Sequence, residues 1–374
     1  MPTKIFVMTH KKFNCPDDPA YIPLHVGRAV SNDLGYMGDD TGDSISSMNC
    51  YYGELTGLYW IWKNYCPEHY DENMGLCHYR RYFVNDSRTI MKESEFDDIL
   101  KDYDIITSKA VISGDDGKTY EETYGESHDI SDLILTGKTI RKLYPEDYPV
   151  FLETIKGNRT YFGNLMVAGG KIFDSYCTWL FSVFNEMKKS MDLSMYGDEY
   201  NRRVFGFLSE HLLYVWVRAR KLRVYEGRVV ISDEKAEVKE LKASVGYLLK
   251  KGCFDEASNL FYEVLKVRPD VTLEQSDLRG DIPLLEQIIY ICSEEHKAGT
   301  EGILSVCRNI DDMLCHVRHV TDILRKENWT DDDRKYLNEM NVSDIAAMVL
   351  ALNNNTAYRA EELPGLLHSN TRKC

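Results

Sequence analysis

Short apolar runs of strand type recur along the first 232 residues of this chain and then stop. They are KIFVM (4–8), NMGLCHY (73–79), DYDIITS (102–108), YFGNLMVAG (161–169) and LRVYEGRVVI (222–231). Amphipathic stretches alternate with them. Within 51–64, Leu55, Leu58, Tyr59 and Trp62 form one stripe at helical spacing, and 93–100, 130–144 and 171–189 are further helix candidates. This alternation predicts an α/β layer fold with a largely parallel sheet, whose ligands lie beyond the carboxyl ends of the strands. After Ser232 only helix signals remain, and 374 residues are enough for two cores. The expected division is therefore an α/β domain over 1–232 and an all-α domain over 233–374. In the latter, residues 235–360 read as several helical hairpins and the last dozen residues as frayed. The turn around Gly252 to Ala257 resembles a tetratricopeptide hairpin, although only one such unit is visible.

Charge narrows the function classes. Sixty acids outnumber 45 bases, for a formal net charge of −15 at pH 7. A nucleic-acid binder needs a broad basic footprint, so that class is excluded. An anionic ligand must instead be held by a local cluster of positive charge. The N-terminal apolar run, 5–8, is too short for a signal-peptide core, and no later stretch approaches a membrane span. The ten cysteines are scattered with no C-x-x-C pair, which reads as reduced cytoplasmic thiols, Cys177 and Cys292 among them as small core residues. That scatter disfavours a structural zinc site, and His316 and His319, three apart, read as a solvated helix surface.

The densest chemistry is GLCHYRRYF (75–83), where a short strand runs into His78, Tyr79, Arg80, Arg81 and Tyr82. Two guanidinium groups beside an imidazole form a compact basic site, and arginine forks pair bidentately with phosphate oxygens. The competing reading pairs these arginines with Glu93 and Glu95. Upstream, the first strand exits into His10, Lys11 and Lys12, a habitual nucleotide contact in doubly wound folds. GYMGDDTGDSIS (35–46) supplies turn residues and the carboxylates Asp39, Asp40 and Asp43. It is neither G-x-x-x-x-G-K-[ST] nor G-x-G-x-x-G, which disfavours phosphoryl transfer and nicotinamide chemistry. Trp60 and Trp62 crowd the next segment, more as core than as a sugar platform. Glu54, a carboxylate in that apolar run, is either an inward functional acid or a partner for the arginines.

GDDTGDSIS, ELTGLYWIWKN and GLCHYRRYF, in that order, resemble a bacterial family of capsular and exopolysaccharide glycosyltransferases long catalogued as a domain of unknown function. The resemblance runs over about residues 3–232 and includes YIPLHVG (21–27), His128 with the later YPEDY, GNLMV around Asn164, FDSYCTWLF (173–181) and RRVFGFLSEHLL (202–213). One departure stands out: Glu210-His211-Leu212 replaces the usual Glu-Arg-Leu. The helical tail lies outside it.

That resemblance implies a GT-A-like, Rossmann-like fold using a UDP-hexose, most simply UDP-galactose in pyranose or furanose form, with a lipid-linked or other glycan as acceptor. His10, Lys11, His78, Tyr79, Arg80, Arg81, Asp40, Asp43 and Glu54 are then the donor and diphosphate candidates. The basic group would neutralise the diphosphate where a metal sits in many GT-A enzymes. A Mn²⁺ or Mg²⁺ ion is therefore not favoured, and Asp39, Asp40 and Asp43 are its ligands if one is needed. Glu210, ahead of Asp198, is the candidate general base of an inverting transfer; a retaining enzyme would need none. Asn164 and His128 are the acceptor candidates. The expected setting is the cytoplasm, with peripheral contact at the inner membrane face or with other polysaccharide enzymes, and a homodimer is open. The alternative class is a non-catalytic carbohydrate- or partner-binding protein that docks through its helical tail.

Overall fold

The computed structural model describes residues 1–113, 117–197, 200–272, 276–300 and 302–354. The chain divides into two compact units, residues 1–232 and 233–374.

The first unit carries ten strands: β1 (Thr3–Thr9), β2 (Tyr21–His25), β3 (Met37–Gly38), β4 (Asn73–His78), β5 (Arg81–Val84), β6 (Ile105–Ser108), β7 (Val111–Ile112), β8 (Arg159–Thr160), β9 (Met166–Gly169) and β10 (Val224–Ile231). Eight of them form one sheet in the order β3-β2-β1-β4-β5-β10-β6-β9, and β9 returns to pair with β4, while β7 and β8 make a separate ribbon. Period-2 alternation builds two cores from one strand. Along β1, Phe6 and Met8 face the larger cluster with Leu24, Leu76, Phe173 and Phe205, whereas Ile5 and Val7 face Cys77, Phe83, Phe96 and Val167.

The sheet is mixed, which corrects the expectation of a largely parallel one. β1, β2, β3 and β4 run parallel, but β5 is antiparallel to β4 and β10, and β9 is antiparallel to β4 and β6. Both reversals have local causes. Only Tyr79 and Arg80 separate β4 from β5, and so short a link cannot hold the crossover that parallel strands require. Beyond β6 the chain leaves along β7 and makes the helices Tyr120–Ser127, Ile130–Leu143 and Tyr148–Lys156. It then comes back beside β7 as β8, so β9 enters the sheet from the end where β6 left.

Two expected elements are shorter or broken. The strand expected over 161–169 begins only at Met166, because Gly163 and Asn164 have φ of 86° and 53° and cannot lie in an extended strand. The helix expected over 51–64 is split at Gly53 into Asn49–Tyr52 and Leu55–Trp60, followed by a wide helical turn over Ile61–Tyr65. The helices Glu93–Asp102, Ile130–Leu143, Gly170–Met187 and Val204–Ala219 complete the layers.

The second unit is helical throughout its described residues, from Ala236–Lys250 and Phe254–Val267 to Asp344–Asn353, around a core including Val245, Phe261, Ile288, Val317 and Leu350. Gly252, in the passage read as a hairpin turn, takes φ 74° between its first two helices. The frayed segment expected at the end of the chain lies outside the described residues. His316 corrects its expectation: it is 5% exposed, its Nδ1 lies 3.0 Å from the Tyr336 hydroxyl, and His319 sets its ring edge-on to the same tyrosine. Among the described residues, Glu234, Asp277 and Asp281 group closely enough to hold a metal. The Lys242 ammonium already bridges two of them, at 2.7 Å from Glu234 and 2.6 Å from Asp281. Asp277 meanwhile accepts from the amides of Asp281 and Ile282 at the start of a helix. The group is a salt-bridged helix terminus. No described helix of either unit is long and apolar enough to cross a membrane.

Candidate active site

The motif GLCHYRRYF forms a hairpin. β4 ends at His78, Tyr79 and Arg80 turn, and Arg81 opens β5 directly opposite His78. Residues paired in this way project to one face, so His78 and Arg81 point together, and Arg80 lies in the turn between the strands. Arg80 is 6% exposed, and its carbonyl accepts from the Ser232 amide at 2.9 Å. Glu93 and Glu95, the competing partners, are engaged elsewhere: Glu93 accepts from the Thr3 amide, and Glu95 from Asn85 and the Lys92 amide.

His78 donates from Nε2 to the Gly163 carbonyl at 2.6 Å, since a carbonyl can only accept. Burial holds its pKa down to about 4, and the neighbouring Arg81 and Arg80 also disfavour its charged form. His78 is therefore neutral at physiological pH and adds no charge to the basic group. The positive charge belongs to the guanidiniums. Arg81 lies 5.2 Å over the Phe162 ring and against Gly163, where any Cβ would stand 2.6 Å from its Nη1. Glycine at 163 thus serves both the positive φ and the close approach of the arginine.

Two carboxylates grip the same loop from the other side. Glu210, on the helix Val204–Ala219, accepts from the Gly163 amide at 2.9 Å. Glu54 accepts from the Asn164 side chain at 2.7 Å. Asn164, 4% exposed, also donates to the Gly206 carbonyl at 3.2 Å and accepts from the Ser209 hydroxyl at 2.9 Å. Burial, then the charge of Glu54, pushes the Glu210 carboxyl up to about 8; Arg81, the Gly163 amide and Arg203 only partly oppose this. A carboxyl that titrates near working pH beside a guanidinium can take up a proton while the arginine stabilises an anion forming nearby.

The structure brings together His78, Arg81, Glu54, Asn164 and Glu210, which the sequence places in four separate segments. Around them, His10 and Tyr79 sit ring to ring at 5.4 Å, joining the exits of β1 and β4, and Phe13 packs between Tyr79 and Tyr36. Lys11 belongs to the same exit, its amide donating to Thr9 Oγ1 at 3.1 Å. His128 lies apart from the hairpin, with Nδ1 3.1 Å from Asn201 Oδ1 and its ring stacked on Phe207 at 4.2 Å. Asp198 lies outside the described residues. His211, at the departure from the family pattern, is buried between Thr154 and Thr160 and stacks on Tyr120 at 3.8 Å, so it serves the interior. Trp60 donates to Thr41, while Trp62 stacks on Phe181 and donates to Asp174, both within the helical layer.

The acids of 35–46 are spent on different tasks. Asp39 is fully buried, accepting from the amides of Gly27 and Arg28 and from the Ser46 hydroxyl. Asp40 pairs with Arg28 at 3.4 Å, and Asp43 accepts from the Tyr59 hydroxyl at 3.0 Å. Stripping the Asp39 carboxylate leaves its donors unsatisfied, so Asp39→Ala is expected to cost about 2–3 kcal/mol, read as a lower urea midpoint. An unchanged midpoint with metal-dependent loss of turnover would instead make it a ligand.

Sequence reasoning missed Gly163, Phe162, Ser209 and Arg203. Arg203 had a legible signal: with Phe207 and Glu210 it follows the i, i+4, i+7 spacing of one helix face, and its guanidinium lies 5.1 Å over the Phe207 ring. Gly163 had none, because what demands a glycine there is an arginine from a distant strand.

A family model described as "Domain of unknown function (DUF4422)" matches residues 4–221. Among solved structures, the chain is similar to the apo structure of the bifunctional glycosyltransferase WbbM, with 27% sequence identity and a TM-score of 0.57. That likeness covers 62% of this chain and 46% of the other, so it spans a little under half of that protein's chain. No curated protein matches.

Proposed function

This chain belongs to the DUF4422 family, and we propose that it is a glycosyltransferase that moves a hexose from a UDP-sugar to a glycan acceptor. The likeness to a bifunctional glycosyltransferase supports the class of reaction. The observation that carries the reading is the meeting of Arg81 and Glu210, a carboxyl titrating near 8, across the Gly163 loop. A GT-A-like arrangement is supported by the order of the parallel strands β3, β2, β1 and β4, whose common exit carries His10, Tyr79 and the arginine hairpin.

In this reading the donor diphosphate lies at the hairpin, with Arg81 as its charge partner and Arg80 supporting the turn. The acceptor hydroxyl gives its proton to ionised Glu210 as its oxygen attacks the anomeric carbon. The bond from that carbon to the β-phosphate oxygen breaks, and the departing UDP carries away the electron pair. Arg81 then faces an anion more localised than in the bound donor, so its stabilisation grows towards the transition state. Neutral His78 holds the Gly163 carbonyl and positions the loop, while Asn164 fixes Glu54. Such a displacement inverts the anomeric centre. A lipid-linked acceptor would set the reaction at the cytoplasmic membrane face.

Purified full-length protein is expected to release UDP slowly from one of a panel of UDP-hexoses, and that donor is expected to raise the melting temperature. A donor at a hundredfold excess over its dissociation constant stabilises by about 2.7 kcal/mol. With the diphosphate charge met by guanidiniums, release is expected to survive EDTA. If no UDP-sugar is hydrolysed or shifts the melt, the proposal fails; if EDTA abolishes release and Mn²⁺ restores it, the metal-free form fails.

A further inference from the structure

Beyond the hairpin, the first unit contains a cleft of about 560 Å³ beside the helices Tyr120–Ser127, Ile130–Leu143 and Val204–Ala219. We infer that this cleft is a subsite for a neutral saccharide unit of the acceptor glycan, distinct from the place of the donor diphosphate; the assignment to an acceptor rests on the transferase reading above.

Its lining selects the chemistry. Tyr124, His128, Tyr196 and Phe207 provide ring faces, and Asp129 and Asp132 provide carboxylates. Among the described residues, no lysine or arginine lines it. Its three carboxylates, Asp129, Asp132 and Asp192, disfavour a diphosphate, and the two cations beside it are already placed, Arg203 over the Phe207 ring and Arg202 on the Tyr196 carbonyl. A sugar ring instead offers C–H faces to the aromatic rings and O–H donors to the carboxylates. The volume falls in the range that encloses a small organic ligand.

A second observation marks the cleft as unfinished. Tyr124 is 4% exposed, and its hydroxyl has no hydrogen-bond partner among the described residues. Buried polar groups are seldom left so. Other polar groups of the wall are already engaged: the Tyr196 hydroxyl donates to Asp132, and Asp129 accepts from the Ser131 amide at 2.8 Å. The Tyr124 hydroxyl is the one left unmatched; its oxygen is closed off from solvent, so a ligand hydroxyl completes it as the wall over it gives way.

The position also suits an acceptor. Phe207, in the cleft wall, and Glu210, beside Gly163, are three residues apart on one helix and therefore neighbours on its surface. His128, also in the cleft wall, stacks on Phe207. A saccharide lying against this stacked pair sits about one helical turn from the carboxyl assigned to accept its proton.

Saturation-transfer NMR on the full chain tests this directly. The probes are methyl β-galactopyranoside, methyl β-glucopyranoside and lactose, each alone and with saturating UDP. At least one is expected to show transfer that persists with UDP present. That transfer is expected to fall about fivefold or more in Tyr124→Phe, which loses one hydrogen bond to the sugar. Ser131→Trp, which fills the cleft from its exposed rim, is expected to abolish it, with melting curves confirming that both variants fold. Absence of transfer from every probe, displacement by UDP, or wild-type binding in the folded variants would each overturn the inference. UDP release from UDP-hexoses, run on the same samples, separates the two readings. Release without saccharide binding sinks the subsite alone, and saccharide binding in the cleft without release sinks the transferase reading and leaves the saccharide site.

Discussion

Glu210→Gln is expected to abolish turnover and at the same time make the first unit more stable at pH 8. The two effects share one cause. In the folded chain the Glu210 carboxyl titrates near 8, against an ordinary value of 4.5. Below about pH 4.5 both folded and unfolded chains hold the proton, and no penalty exists. Between there and pH 8 the unfolded chain releases a proton that the folded chain keeps, so stability falls as pH rises, by about 1.4 kcal/mol per pH unit. Above 8 the folded chain must bury a carboxylate, and the penalty is complete. Glutamine cannot ionise, yet its carbonyl can still accept from the Gly163 amide, so it keeps the contact and removes the penalty. For a unit of this size the gain corresponds to about 5 °C or more in melting temperature at pH 8, shrinking towards zero at pH 5. Donor turnover in the wild type is expected to rise with pH through an inflection near 8, as the base ionises. An equal melting gain at both pH values would show that the carboxyl is not perturbed in this way, and a glutamine variant with normal turnover would remove it from the chemistry.

Arg81→Met is expected to be the most damaging change at the hairpin. Methionine keeps much of the packing over Phe162 and beside Gly163 but removes the fork and its charge. Loss of one preorganised partner of a developing anion costs a factor of about 10² to 10³ in turnover. A second consequence belongs to charge alone. Arg81 is among the groups that hold the Glu210 pKa down; without it the pH inflection of residual turnover is expected to move upward. Arg81→Lys restores charge without the planar fork, so it is expected to recover the inflection better than the rate. An inflection that stays in place in Arg81→Met would mean that the guanidinium and the carboxyl do not interact.

Neutral His78 shows how far local reading reaches. The turn back into β5 was not read, but the strand and the two arginines at its exit were legible in GLCHYRRYF, because apolar runs and side-chain type are local properties. The imidazole's charge was not, because it depends on burial and on two guanidiniums whose placement the hairpin settles. Glu54 followed the same pattern. A carboxylate inside an apolar run signalled a purpose, but its partner, Asn164, lies 110 residues away. The acids of 35–46 invited a metal reading by composition, and only the fold shows Asp39 turned inward on backbone amides. At His211 the departure from the family pattern was visible in the sequence, and only the fold shows its ring bonded between Thr154 and Thr160.

Apart from β2, β3, β5, β7 and β8, which were not read, periodicity determined the main strands and helices in outline, where strand signals end at Ser232, and that a basic cluster sits at a strand exit in an acidic protein. These follow from side-chain spacing, which acts over a few residues. Only the tertiary structure decided that β9 runs against its neighbours, that Arg80 lies in a turn while Arg81 sits opposite His78, and that the Gly163 loop is held between Glu210 and His78. Those outcomes depend on chain segments distant in the sequence, 85 positions from His78 to Gly163 and 47 from Gly163 to Glu210, meeting in one buried place, where desolvation, absent from any local pattern, sets which groups carry charge.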